Sequence, residues 1–432
     1  MRIYTNTSRA VTKGINLSVA KQTGERKRNS CRAEFGGTRS TEILERRIEC
    51  SRTSFPYWRK FVRCRFGAWS ALGFLVLLAT TSTAIAFGDW KQAQASFKLS
   101  FPRDHVSHPD YRIEWWYYTG NVLSPSGERF GYQLTFFRIG VDPKPANPSR
   151  WAVRDLFMTH FAITDIFGKR YRFSERINRS GVGWAGASTE QYHVWNQDWE
   201  VRLDERGHHH LIARNEEMSI DLMLSPGKPP VLHGMNGFSQ KGGQRGNASH
   251  YYSLTRMPTS GRLTFAGRSF AVEGLSWMDH EFGTSVLEED QVGWDWFSIQ
   301  LEDGTELMLF QLRRLDGRAD SHSSGTWVDA SGYAKPIQFS EFEMKGTHPW
   351  QSVQSAARYP TEWEIQSASL KLNVLVKPAV LNQELQTKES TGVNYWEGAV
   401  EVVGTREGRP VKGRGYLEMT GYGGQVMSRL FK

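Results

Sequence analysis

The chain has 432 residues, of which 39% are hydrophobic and 13% aromatic, and a net charge of +9. That charge sits at the start: residues 1–86 hold 16 Lys and Arg against 5 Asp and Glu, which leaves 38 against 40 in residues 87–432. A near-neutral body lacks the concentrated basic face that phosphate binding needs, so nucleic acid is excluded as a partner.

In chain order, a basic stretch (Arg59, Lys60, Arg63, Arg65) precedes an apolar run from Ala68 to Ala79, and Ala84-Ile85-Ala86 supplies small residues at the cleavage spacing. This is the pattern of a Sec-type signal peptide cut after Ala86. The run is diluted by Thr80 to Thr83 and falls short of a membrane span, an uncleaved anchor being the alternative. No methionine stands between Met1 and the run, so Val62 is read as an alternative start, residues 62–86 as the leader and 1–61 as an untranslated extension. Arg46-Arg47 lies too far from the run for twin-arginine export. Cys31, Cys50 and Cys64 all precede the cleavage site, so the expected periplasmic or secreted protein has no thiol for disulfides, metal, nucleophilic attack or lipid attachment.

From Phe97 onward short alternating segments are broken by turn residues such as Pro125-Ser126-Gly127, Asp303-Gly304 and Ser331-Gly332. Period-two alternation with regular turns predicts antiparallel sheet. Two pairs of segments read as copies. Trp116-Tyr117-Tyr118 and Trp294-Asp295-Trp296 each open a hairpin, 178 residues apart, and Gly267, Gly274 and Met278 match Gly408, Gly415 and Met419 at a constant offset of 141. The first copy is therefore longer, and the glycine-rich, basic stretch from Gly227 to Ser249 accounts for part of the excess. The fold class predicted is all-β, with one antiparallel barrel over residues 97–275 and a second over 276–432, a sandwich being the alternative. A closed barrel has no free edge and can hold one ligand among its inward side chains.

Three stretches set carboxylates among rings: Glu114-Trp115-Trp116-Tyr117, Trp277-Met278-Asp279-His280-Glu281-Phe282 and Trp294-Asp295-Trp296. Such a setting suits an apolar, unsaturated ligand and raises an acid's pKa. The candidate catalytic residues are Asp279, His280 and Asp295; the candidate ligand-binding residues are Glu114, Trp115, Trp116, Tyr117, Trp277, Glu281, Phe282, Trp294 and Trp296. Strand alternation sends Asp279 and Glu281 one way and Met278, His280 and Phe282 the other, so the three polar groups cannot share one cavity. The plain alternative makes the acids satisfy turn amides and His280 a hydrogen-bonded core residue. Contiguous Asp-His-Glu lacks the separated spacing of metal ligands, and neither a metal nor a cofactor is expected. His208-His209-His210 reads as an exposed turn entering a strand, and His105 and His108 could close one barrel mouth.

Together with Phe101-Pro102-Arg103-Asp104-His105, these motifs resemble the carotenoid 1,2-hydratase (hydroxyneurosporene synthase) family, which includes the exported AttH-like proteins. The resemblance covers about residues 97–432 and implies two lipocalin-like (calycin-type) barrels. For function it implies either hydration of the terminal double bond of an acyclic carotenoid, or an AttH-like protein that binds a lipid or isoprenoid and serves an ABC-type membrane transport complex; a secreted-hydrolase label is a third. In the hydratase branch a tryptophan lies two residues after the histidine, and a tyrosine and an acid lie on the next strand. Here Phe282 and Phe310-Gln311-Leu312 stand there, and the chain resembles the AttH side.

Overall fold

Alternation along the chain becomes two antiparallel sheets in the computed structural model, which describes residues 90–285 and 287–424. The expected extension, leader and cleavage site lie outside these residues. Among them, the 3-10 turns Arg103–His105 and Phe339–Glu341 are the only helical pieces, and no helix is long and apolar enough to cross a membrane.

The first sheet takes β1 (Ile113–Leu123), β2 (Arg129–Gly140), β3 (Asp155–Asp165), β4 (Arg170–Arg179), β5 (Ala185–Ala187), β6 (His193–Asn196), β7 (Trp199–Leu203), β8 (His209–Arg214), β9 (Met218–Leu224), β10 (Val231–Leu232), β11 (Phe238–Gln240), β12 (Ala248–Phe265) and β13 (Arg268–Ser285). Its order is β4-β3-β2-β1-β13-β12-β9-β8-β7-β6-β5, with β10 and β11 on β12. The second takes β14 (Gln291–Leu301), β15 (Glu306–Arg314), β16 (Ser324–Val328), β17 (Ala334–Gln338), β18 (Glu343–Gln351), β19 (Arg358–Ser367), β20 (Leu372–Pro378), β21 (Glu384–Gln386), β22 (Asn394–Arg406) and β23 (Arg409–Met419). Its order is β17-β16-β15-β14-β23-β22-β20-β19-β18, with β21 on β22. Both sheets curl, as expected, into lipocalin-like barrels. Side chains close the first: Asn196 bonds Asn178, Thr159 and the Phe157 carbonyl across the seam between its end strands.

The sheet changes between Ser285 and Gln291, so the boundary expected at 275/276 falls inside β13, whose ladder with β1 runs unbroken across it. The duplication also takes a different register at its opening strands. Tyr118 pairs with Met278, and Asp295 with Met419. Because Met278 and Met419 are the matched residues, the opening offset is 177 and not 178, and Trp294 is the counterpart of Tyr117, not of Trp116. A slip of one residue exchanges the faces of a strand. Trp116 consequently lies in the first barrel's core, while Trp294 faces outward between the barrels.

The matched glycines have one physical cause. Gly274 sits opposite Val122 and Gly415 opposite Ile299, and a Cβ on either would run into a backbone carbonyl oxygen, of Asn121 and Ser298 respectively. Backbone cannot yield as a side chain does, so Gly274→Ala is expected to destabilise by about 2–3 kcal/mol in urea denaturation. A change under about 0.5 kcal/mol would refute the close approach.

Each barrel is filled by its own side chains. Trp116, Tyr118, Tyr132, Phe136, Phe161, Trp199 and Met278 pack the first; Phe297, Tyr359, Trp363, Trp396 and Met419 pack the second. A third cluster, including Tyr117, Tyr251, Trp277, Trp296, Phe310 and Tyr395, forms where the outer faces of β1 and β13 meet β14, β22 and β23. Residues 227–249, part of the excess of the first copy, reach across this joint: Lys228 Nζ lies 2.7 Å from Glu306 and bonds the carbonyls of Gly304 and Asp329. Arg256 approaches the same Glu306 carboxylate.

Candidate functional site

Among the described residues, a ring-walled cavity lies between the barrels, outside both packed cores. Its volume of ≈ 320 Å³ is walled by Trp115, Tyr117, Phe137, Tyr251, Trp294, Trp296 and Phe310, and it receives the carboxyls of Asp279, Glu281 and Glu418. Half-exposed Ile177 and the 390–391 loop line its rim, so it opens to the surface there. Apolar walls with a few convergent polar groups are the composition of a small-molecule site.

Asp279 is held by three donors: the Tyr251 hydroxyl at 2.5 Å, Trp277 Nε1 at 2.5 Å and the Ser253 hydroxyl. Trp296 Nε1 in turn donates to the Tyr251 oxygen at 3.0 Å. Burial pushes the Asp279 carboxyl up to about 7, with the Glu281 charge adding and the three donors opposing. Glu418 accepts from Trp294 Nε1 at 3.0 Å; burial, with the charges of Asp279 and Glu281, pushes it to about 7 as well. Glu281 has its own cation, Lys241 Nζ at 3.2 Å, which also lies 4.0 Å from the centre of the Phe310 ring. Behind Glu418, across the strand pair, stands Glu397. It is 1% exposed, its oxygens form no well-aligned hydrogen bond among the described residues, and burial beside Glu418 raises it well above the usual carboxylate range, with the nearby Tyr117 hydroxyl opposing.

At the rim, His160 Nδ1 meets the Tyr395 hydroxyl at 2.7 Å and its Nε2 meets Ser390 Oγ at 2.9 Å. The single Ser390 proton goes to Glu175, so this contact straps the 387–393 loop to the first barrel and does not present an activated nucleophile.

The alternation expected for β13 holds: Asp279 and Glu281 face the cavity, while His280 and Phe282 face the first barrel's interior. There His280 Nε2 meets Glu114 at 2.9 Å and its Nδ1 meets the Tyr252 hydroxyl at 3.0 Å. Glu114 also takes Ser107 Oγ at 2.8 Å, the His108 backbone amide at 2.9 Å and Arg138 Nε at 3.1 Å. Burial opposes its charge, but Arg138, His108 and His280 hold it well below the ordinary range. Burial lowers His280 and keeps it neutral. His108 stacks on Phe282 at 3.6 Å, and His105 Nδ1 meets the Tyr252 hydroxyl at 2.7 Å, so both histidines do plug that end of the barrel. His209, expected on an exposed turn, points inward to Tyr118 at 2.7 Å and is 1% exposed, because β8 begins at it and alternation turns it to the core.

The cavity therefore gathers Asp279, Glu281, Trp115, Tyr117, Trp294 and Trp296 from the residues singled out in the sequence. Trp277 supports Asp279 from behind. His280, Glu114, Trp116 and Phe282 belong to the first barrel's interior network, and Asp295 to the second barrel, where Arg313 Nε lies 3.0 Å away and Tyr422 donates at 3.0 Å. His108, Glu114 and His280 offer ligand atoms within 4.8 Å of one another and could hold a metal ion. Arg138 already supplies the positive charge at that carboxylate, so the network is complete as proton and ion pairs. Sequence reasoning passed over Glu418, Lys241, Tyr251 and His160. Glu418 had a signal: at the offset of 141 it is the counterpart of Trp277.

No curated protein matches the chain. The sequence model of the AttH-like family matches residues 92–422. An AttH protein from Nitrosomonas europaea has the same architecture, with 33% identity and a TM-score of 0.70 over 77% of this chain and 99% of its own. Kievitone hydratase from Nectria haematococca shares the fold at 14% identity, with a TM-score of 0.60 over 77% of this chain and 96% of its own. The chain belongs to the AttH-like family.

Proposed function

We propose that the chain binds an apolar ligand of the lipid or isoprenoid class in the inter-barrel cavity. The observation that carries this reading is an apolar, ring-walled cavity of ≈ 320 Å³ outside both packed cores. That volume is about ten times a water molecule's share of the liquid, so the cavity takes on the order of ten to fifteen non-hydrogen atoms, or one end of a longer chain. A full-length carotenoid would leave most of its length outside. The protein acts after export, as a periplasmic or secreted protein cleaved after Ala86, and a membrane transport complex is the partner proposed to deliver or collect the ligand. Native mass spectrometry of protein purified from the exported fraction, followed by organic extraction, tests the binding. A co-purifying lipid or isoprenoid is the expected result; Trp296→Asp retaining the same bound mass would sink the assignment to this cavity.

One observation favours a catalytic second reading. Asp279 and Glu418 are both pushed to about 7 in the same cavity, so near neutral pH one can hold a proton while the other is ionised. Adding water to a carbon–carbon double bond needs that combination: an acid protonates one alkene carbon, rings stabilise the cation formed, and a base takes a proton from the attacking water. The named activity of kievitone hydratase is in accord, although at 14% identity that protein contributes the fold alone. Both Asp279→Asn and Glu418→Gln are expected to lower turnover of an alkene substrate by at least about a hundredfold. Full turnover in either variant would leave binding as the function.

A further inference from the structure

Carboxyls outnumber cations at the cavity. Asp279, Glu281 and Glu418 enter it and Glu397 stands behind, while among the described residues Lys241 is the one ammonium or guanidinium that lines it. Lys241 is committed to Glu281 and to the Phe310 ring, and it leaves the Asp279 and Glu418 side without a cation. On that side the cavity repeats what Lys241 occupies on the other: carboxyls beside aromatic faces, here Tyr117, Trp294 and Trp296. Tyr117 adds an independent sign. It lines the cavity and is 6% exposed, and among the described residues its hydroxyl has only the neighbouring Glu397 carboxyl to turn to, with which it forms no well-aligned hydrogen bond. Buried polar atoms without partners are rare in a finished structure and mark where a missing group belongs.

We propose that the ligand carries a protonated amine on an apolar body, with its ammonium lodged between Asp279 and Glu418 against Trp294 and Trp296 and in reach of the Tyr117 hydroxyl. The inference rests on the cavity being the ligand site and names the class of that ligand. An ammonium supplies what the site lacks: positive charge for carboxyls that burial otherwise forces to keep their protons, N–H donors for unpartnered oxygens, and a cation for ring faces. An apolar chain of about ten carbons fills the remainder of the volume.

Decylamine, decanol and decanoate share one chain and differ in charge. Each is titrated into the purified protein at pH 8, where carboxyls that titrate near 7 are ionised and the amine is protonated, with the tryptophan fluorescence of Trp115, Trp294 and Trp296 and calorimetric heat as readouts. Decylamine is expected to bind at least about tenfold more tightly than decanol, and decanoate most weakly. The Glu418→Gln variant is expected to bring decylamine to the level of decanol, whereas Lys241→Gln, which removes the resident ammonium, is expected to tighten decylamine relative to decanol. Decanol or decanoate binding as tightly as decylamine overturns the charge assignment and leaves the cavity as an apolar site. Failure of all three to bind overturns the cavity assignment with it. A Lys241→Gln variant that loses decylamine also counts against the proposal, and this arm remains readable if Glu418→Gln does not fold.

Discussion

At pH 8 the Asp279→Asn variant is expected to be more stable than the parent chain by roughly 2–4 kcal/mol, and that advantage is expected to shrink by about 2–3 kcal/mol at pH 5. The cause is burial. In the unfolded chain Asp279 titrates at 3.8, whereas in the folded protein it holds its proton up to about 7. A raised pKa makes the contribution to stability full below 3.8 and progressively lost as pH rises to about 7, at about 1.4 kcal/mol per pH unit. Asparagine carries no charge at any of these pH values and escapes the loss. It also keeps two of the three existing bonds: its oxygen accepts from Ser253 and Trp277 as Oδ1 does now, while the Tyr251 hydroxyl, which now donates to Oδ2, must turn its proton away to accept from the amide. Urea denaturation at the two pH values measures the difference. An equal advantage at both would put Asp279 at its ordinary pKa and remove it as a proton donor. A variant that gains stability while losing turnover would mark a carboxyl retained for chemistry at a cost in folding.

Much of this site could be read before the fold was known, because strand alternation is a strict rule. Asp279 and His280, being neighbours on a strand, had to serve different places, and they do: one faces the inter-barrel cavity and the other the first barrel's core. Glycine spacing was equally informative, since Gly274 and Gly415 are fixed by the same close backbone approach in each copy. The register of the opening strands was not legible. Trp115-Trp116-Tyr117-Tyr118 places rings on both faces at once, so its pattern is satisfied by either of two alignments one residue apart, and the pairing with β13 and β23 alone decides between them.

The cavity itself was illegible for a related reason. Its second acid, its ammonium and its rim histidine come from Glu418, Lys241 and His160, which lie far apart in sequence and have no local motif. They meet because the duplicated barrels face each other through equivalent strands. In that arrangement Tyr117 corresponds to Trp294, Thr119 to Trp296, Trp277 to Glu418 and Asp279 to Thr420. An acid in each copy thus stands where the other copy has a neutral side chain. The two carboxyls face one cavity from opposite barrels, and neither copy alone contains the pair.

Arg138→Met is expected to destabilise the protein by about 3–5 kcal/mol at pH 7. The Arg138 side chain is 2% exposed; it bridges Glu114 and Asp155 and donates to the His108 and Tyr111 carbonyls. Methionine fills much of the volume but leaves the fully buried Glu114 without its guanidinium, whereas Asp155 keeps Arg154, and the penalty for an uncompensated buried charge exceeds what the intact pair contributed. The pH dependence separates this cause from lost packing. With Arg138 present, Glu114 titrates well below its unfolded 4.5, so its contribution to stability is full above pH 4.5 and is lost as the pH falls towards the folded value. Without Arg138 the largest influence that opposes burial is gone and Glu114 titrates higher than in the parent chain, so protonation relieves the variant as the pH falls. The cost of Arg138→Met is therefore expected to fall steadily as the pH is lowered from 7 to 4, and the Arg138→Met, Glu114→Gln double variant is expected to recover part of the loss at pH 7. A cost independent of pH would mean that Arg138 acts by packing. Because the network lies in the first barrel's core and not at the cavity, ligand affinity in the folded variant is expected to stay within about threefold of the parent's, which would separate His280 and Glu114, as structural partners, from Asp279 and Glu418, the groups proposed to meet the ligand.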